Sequence, residues 1–234
     1  RCTPVELAQI GQYAENVYFG KPSGLLDQMG SSVGGMVTID FADNDHPVVE
    51  KVDFDFASAG HALCIIDSGA DHADLTDEYS AVPGELKRIC ARFGKGVLRE
   101  VPEADFFAAL PELRRECGDR AVLRAVHIYD ENRRVSGQVE ALRRGDFDAF
   151  LTYIRDSGLS SWRYLQNVTP AGYTEHQDVA LALSMAERIL NGRGACRVHG
   201  GGFAGTIQAF VPLDREERFT QGMEALTGAG SCHV

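Results

Sequence analysis

Hydrophobic positions recur along the chain with two different periods. Near the start, Leu7, Ile10, Ala14, Val17 and Tyr18 follow helical spacing. Ahead of them, Thr3-Pro4-Val5-Glu6 supplies an N-cap hydroxyl, a proline at the first helical position and a Glu three residues after the cap. Gly20 and Pro22 stop this helix. Ser23 can cap a second, short helix that carries Asp27 in its first turns and ends at Gly34-Gly35, and Val37-Thr38-Ile39-Asp40-Phe41 reads as a strand. From Val48 to Phe56 the period is two. Val48, Val52, Phe54 and Phe56 share one face, and Lys51, Asp53 and Asp55 share the other, with Glu50 the one intrusion. Leu63-Cys64-Ile65-Ile66 is a continuous apolar run between Gly60 and Gly69, which predicts a more central strand.

After Gly69 the pattern shifts from strands to helices, which suggests a domain boundary near there. Leu86, Ile89, Cys90 and Phe93 form an apolar stripe after Pro83-Gly84. Val122, Val126, Val135, Val139 and Leu142 predict one or two long helices ending at Gly145. Phe147, Phe150, Leu151 and Ile154 follow, and Val179, Leu183, Ala186 and Leu190 mark the last long helix. Then the period returns to strands: Arg197-Val198 before a glycine cluster, Thr206 to Val211 after it, and Ser231 to Val234 at the end. Strands, then helices, then strands define an α+β pattern rather than a βαβ alternation.

Composition narrows the function. The 234 residues are 44% hydrophobic and 24% charged, which is ordinary globular usage. With 23 Lys and Arg against 34 Asp and Glu, the net charge is -11. No basic block is available for nucleic acid or an anionic membrane, so neither is expected as a partner. No apolar run approaches the ~20 residues of a membrane span, and no signal peptide opens the chain. Six dispersed cysteines without a Cys-x-x-Cys read as reduced thiols in a cytoplasmic protein. Cys196, His199, Cys232 and His233 pair the right atoms for zinc but lack a second well-spaced pair, so no metal site is expected.

Three features could carry chemistry. Gly200-Gly201-Gly202-Phe203-Ala204-Gly205 lies between two short strands. Such glycines let backbone N–H groups approach a phosphate, or they simply make a tight turn. Asp27, in Gly24-Leu25-Leu26-Asp27-Gln28, sits near a helix start, where the macrodipole favours the anion. It could take or orient a hydroxyl proton, or be a first-turn Asp on a solvated face. Gly158-Leu159-Ser160-Ser161 looks like a small-molecule kinase phosphate loop, but Trp162 is too bulky for a backbone that must approach phosphate, so a loop between two helices is expected.

At these residues the chain resembles a known family. Gly24-Leu25-Leu26-Asp27-Gln28 is similar to the Gly-Ile-Met-Asp-Gln motif of galactokinases, in the GHMP kinase superfamily. Asp67-Ser68-Gly69-Ala70-Asp71-His72 with Glu78-Tyr79 resembles their Asn-Ser/Thr-x-x-x-His segment ending in Glu-Tyr. Arg124-Ala125-Val126-His127 with Glu131-Asn132-x-Arg134-Val135 resembles their Arg-Ala-x-His…Glu-x-x-Arg helix, continued by Ala141-Leu142-Arg143-Arg144-Gly145-Asp146-Phe147. Arg197-Val198-His199-Gly200-Gly201-Gly202-Phe203-Ala204-Gly205 resembles their third motif, with His199 where Thr is usual and Ala204 where Gly is usual.

The resemblance implies ATP-dependent phosphorylation of the C1 hydroxyl of α-D-galactose, with Mg2+. It implies Asp27 as the carboxylate at that hydroxyl, Gly24 and Tyr79 as sugar-touching positions, and Gly200, Gly201 and Gly202 as the phosphate end. It implies a GHMP-kinase-like fold: a C-terminal α/β sandwich of antiparallel strands and helices over 61–234, and a remnant of the N-terminal domain over 1–60. The family's N-terminal sugar-binding segment and its Pro-x-Gly-x-Gly-Leu-Ser-Ser-Ser loop have no counterpart here. The chain is therefore expected to be inactive alone and to self-associate through an uncovered face. A kinase of the N-acetylgalactosamine type, or a non-catalytic galactose-sensing regulator, remains an alternative.

Overall fold

The computed structural model describes residues 2–20, 23–43, 45–70 and 75–234. The chain divides into two compact units, Arg1–Asp55 with Leu142–Gly145, and Phe56–Ala141 with Asp146–Val234.

In the first unit, helix α1 (Pro4–Tyr13) starts on the capping box that its sequence announces. Glu6 N–H donates to Thr3 Oγ1 at 3.2 Å, and Thr3 N–H donates to Glu6 Oε2 at 2.7 Å. These bonds satisfy donors that have no partner inside the helix. The helix continues through one wider turn, Ala14–Tyr18. Helix α2 (Leu26–Val33) ends at Gly34, whose φ of 68° favours glycine. Strands β1 (Val37–Asp40) and β2 (Val48–Lys51) pair antiparallel, with Ile39 opposite Val49. Ala8, Leu25 and Met29 form the core of this unit, with Ile39 and Val49 against it.

Three local expectations change here. The helical stripe Leu7, Ile10, Val17 and Tyr18 is exposed, because α1 turns Val5 and Ala8 toward the core. Ser23 does not cap α2: its N–H donates to Asn16 Oδ1 at 2.7 Å, and the cap position is Leu25. The strand expected over 48–56 ends at Lys51, and its phase slips, since Val49 packs inward before Val52 is buried. Pro22 lies outside the described residues.

The second unit is built on a four-stranded antiparallel sheet, ordered β4-β5-β3-β6. Its strands are β3 (His61–Asp67), β4 (Ala195–Val198), β5 (Thr206–Pro212) and β6 (Cys232–His233). Cys64 faces Ala209 and Ile66 faces Ile207 in register. The expected central strand is thus central. One sheet face packs against α8 (Asp178–Leu190) and α9 (Glu216–Thr227), where Leu183, Ala186, Phe219 and Met223 meet Cys64, Ile66 and Ala209. Alternate residues face the other way: Phe210 meets Phe147 and Phe150 of α7 (Phe147–Ser160).

A helical layer completes the unit. Ile89, Leu98, Phe106, Leu113 and Ala125 form its core. They come from α3 (Thr76–Ala91), α4 (Glu103–Ala108), α5 (Leu110–Cys117), α6 (Asp119–Arg143) and a 3-10 turn at Leu98–Glu100. Helix α3 contains Pro83 rather than starting after it. Helix α6 is one continuous element. The segment from Gly158 is helical, not a loop: Gly158 to Ser160 end α7, and Ser161–Leu165 make a wider turn. Gly158 is small for a packing reason, since a Cβ there would lie 3.0 Å from Arg197 Cβ and 3.2 Å from the Cys196 carbonyl. The α+β class of antiparallel sheet and helices expected from the sequence is the observed one.

Candidate active site

The glycine turn between β4 and β5 carries a run of left-handed backbone. Gly200, Gly202 and Gly205 have φ of 67°, 80° and 77°, and Phe203 stands at 61°. Left-handed backbone suits glycine and strains Phe203. Long-range bonds hold this geometry. Tyr79 Oη donates to the Gly202 carbonyl at 2.7 Å, and its ring meets Phe203 edge-on. Burial pushes the Tyr79 pKa up, so its hydroxyl stays a donor. Ser68 donates to the Gly205 carbonyl through both its N–H, at 2.9 Å, and its hydroxyl, at 2.6 Å. Asn167 Nδ2 donates to the Gly201 carbonyl at 3.1 Å. Glu78 Oε1 accepts from Ala171 N–H at 2.7 Å, so the Glu78-Tyr79 pair ties two loops to the start of α3. A recess of about 180 Å3 opens beside Phe203 and Ala204, with Tyr173, His176 and Asp178 in its wall.

Behind the turn lies a buried polar network. Glu131 on α6 accepts from Arg134 at 2.7 Å, from Ser157 of α7 in a short bond, and from Arg197 of β4 at 3.3 Å. Burial raises its pKa, but the Ser157 bond and the two arginine charges outweigh that and hold it below the ordinary value. His127 Nδ1 lies 2.9 Å from Ser160 Oγ, which also accepts from Arg134 at 2.8 Å. Burial pushes His127 down to about 4. A second cluster joins Glu85 of α3 to Arg120 and the fully buried Arg124, which also donates to the Leu165 carbonyl at 3.0 Å. The Arg-Ala-x-His…Glu-x-x-Arg residues thus serve packing between helices and β4.

The sequence-predicted residues fall in both units. Tyr79 is brought onto Gly201 and Gly202 across more than a hundred positions of chain. Asp27 and Gly24 belong to the first unit. Asp27 is exposed as the second residue of α2, and among the described residues it has no ion pair. A Cβ at Gly24 would meet nothing within 4 Å, so packing inside its unit does not demand glycine there. Asp71 and His72 lie outside the described residues. Sequence reading missed Asn167; Glu131 and Arg197 stood within the quoted motifs but were given no role as a supporting layer. Cys196, His199, Cys232 and His233 do not gather: among the described residues no group of three or more His, Cys, Asp or Glu could hold a metal ion.

The fold is shared with two solved structures. It matches Lactococcus lactis galactokinase complexed with galactose at a TM-score of 0.74 and 23% identity, over 100% of this chain and 58% of that one. It matches L. major mevalonate kinase in complex with R-mevalonate at 0.60 and 15%, with the same coverage. By sequence the chain is similar to galactokinases. It is 30% identical to that of Streptomyces coelicolor over 226 residues, 96% of this chain and 56% of the relative. It is 31% identical to that of Mycobacterium tuberculosis over 220 residues, 92% and 56%, and 30% identical to that of Actinobacillus pleuropneumoniae over 212 residues, 91% and 52%. No family model matches the sequence. The chain spans about half the length of the curated relatives it matches.

Proposed function

We propose that this chain is the C-terminal part of a galactokinase, which transfers the γ-phosphoryl group of ATP to the C1 hydroxyl of α-D-galactose. Residues 1–60 are then the end of its N-terminal domain and 61–234 its C-terminal domain. What supports the reading is similarity to galactokinases over nine-tenths of the chain, at 30% identity. Phosphoryl transfer is mostly positioning and charge stabilisation, so few reacting side chains are needed.

Asp27 is the group placed at the sugar hydroxyl, where its exposed carboxylate can accept or orient the proton. Gly24 and Tyr79 are the sugar-touching positions of this reading. Gly200, Gly201 and Gly202 support the phosphate end with backbone donors, and that turn carries no Lys or Arg of its own. It therefore fits part of a nucleotide site rather than a whole triphosphate cradle. ATP supplies the phosphoryl group when bound, and Mg2+ would enter with it, held by phosphate oxygens and one or two carboxylates.

The same reading puts the protein in the cytoplasm, in keeping with six unpaired cysteines. No helix among the described residues is long and apolar enough to cross a membrane. Self-association is part of the proposal, because Leu7, Ile10, Val17, Tyr18 and Phe19 are all more than half exposed along one short stretch.

The test is Asp27→Asn in the galactokinase-length protein that contains this chain. We expect kcat for galactose to fall at least about a hundredfold, with the melting temperature nearly unchanged. Near-normal kcat would reject the assignment of Asp27. Phosphorylation of N-acetylgalactosamine in preference to galactose would reject the substrate.

A further inference from the structure

Asn167 lies beneath the glycine turn, 3% exposed, in a segment that carries no motif. Its Nδ2 donates to the Gly201 carbonyl at 3.1 Å, and its backbone carbonyl accepts from Phe203 N–H at 2.5 Å. The contact leaves no slack: a Cβ on Gly202 would lie 2.1 Å from the Asn167 carbonyl oxygen and 2.6 Å from Nδ2. Asn167 is itself held. It follows Gln166 in left-handed backbone at φ 56°, and the buried Arg124 grips the preceding Leu165 carbonyl.

The peptides here are trans, so a carbonyl and the N–H of the next residue point in opposite directions. Drawing the Gly201 carbonyl toward Asn167 turns Gly202 N–H to the opposite side. Among the described residues no group accepts that N–H. The carboxamide cannot be turned over, because Oδ1 would then oppose the Gly201 carbonyl, acceptor against acceptor. In the observed orientation Oδ1 is buried without a partner. A residue that served stability alone would be better apolar than half-satisfied, so the retained cost points to a demand on the turn itself.

We propose that Asn167 is a positioning residue: its carboxamide fixes the Gly201–Gly202 peptide so that Gly202 N–H is offered to an oxygen of the ligand, a phosphate or a sugar hydroxyl. This rests on the reading of the turn as part of a ligand site.

Asn167→Asp tests it, because the isosteric carboxyl restores the donor only when protonated. In the present chain, labelled with 15N-glycine, the Gly202 amide resonance should be displaced at mildly alkaline pH. It should return toward the wild-type position as pH falls through the titration of the buried carboxyl, while the wild type shows no such step. In the galactokinase-length protein, kcat/KM should fall about a hundredfold at the same alkaline pH and recover along the same curve. A rise confined to the KM for ATP identifies a phosphate oxygen, and one confined to galactose identifies the sugar. A Gly202 resonance unmoved by the substitution, or a catalytic loss that does not recover on acidification, overturns the proposal. If the resonance titrates but the wild-type long protein does not phosphorylate galactose, the functional reading fails and the positioning role stands. Should Asn167→Asp not fold, Asn167→Ala removes the same donor; its Gly202 resonance should be displaced at every pH, and an undisplaced one overturns the proposal.

Discussion

Acidifying the protein from neutrality toward pH 4 should remove up to about 3 kcal/mol of stability through one side chain, His127. The imidazole is 4% exposed on α6 and bonded to Ser160. Burial is the main cause of its pKa falling from the ordinary 6.5 to about 4; the Arg134 and Arg197 charges push the same way, and Glu131 and Asp130 oppose them. In the unfolded chain His127 takes a proton near pH 6.5, whereas the folded chain resists until about 4. The unfolded state therefore binds more protons in this window, and stability rises with pH. The contribution is complete above about pH 6.5 and is lost as pH falls toward 4. At about 1.4 kcal/mol per tenfold change, the gap corresponds to about 3 kcal/mol, a large share of the ~5–15 kcal/mol of a typical domain.

Glu131 acts in a lower window. Its folded pKa is held below the ordinary 4.5, so its contribution is present above that value and fades only below it. The assay is urea unfolding of wild type and His127→Gln across pH, since the glutamine amide offers a hydrogen bond but does not titrate. By about pH 4.5 the wild type should have lost about 2–3 kcal/mol more than the variant, relative to neutral pH. Parallel stability curves for the two proteins would refute the reasoning.

Gly202→Ala should cost about 2–4 kcal/mol, read from denaturant midpoints, because it combines left-handed strain with a Cβ 2.1 Å from the Asn167 carbonyl. Gly200→Ala, with open space around its Cβ, should cost only about 1–2 kcal/mol; equal losses would show that packing on Asn167 is not tight. The exposed stripe of the first unit should drive association, visible as a concentration-dependent sedimentation coefficient, and Ile10→Lys with Val17→Lys should abolish it. A wild-type chain that sediments as a monomer at every concentration would remove the proposal of self-association.

Where a decision was local, the sequence was readable. Thr3, Pro4 and Glu6 are within one turn of each other, so the start of α1 follows from capping chemistry alone. The buried positions Val179, Leu183, Ala186 and Leu190 follow from helical period. Helix α9 was not picked out, because only Phe219 and Met223 of its twelve residues are buried, too few to raise a stripe. The exposed stripe of α1 misled for the opposite reason: periodicity reports that a face is apolar, not what covers it. Gly158 read as a loop glycine because a glycine near serines is a turn signal, yet its place was set by β4 passing within van der Waals reach.

The sequence by itself determined the α+β class, the order of the motifs and the kind of protein they resemble, since these depend on residue type and short spacing. Only the tertiary structure decided which polar residues are working parts of the interior. Glu131 meets Arg197 across 66 positions, Asn167 meets Gly201 across 34, and Tyr79 meets Gly202 across 123. No local pattern encodes such pairs. A buried donor must find its acceptor wherever the chain brings one, and that choice is made by packing the whole core at once.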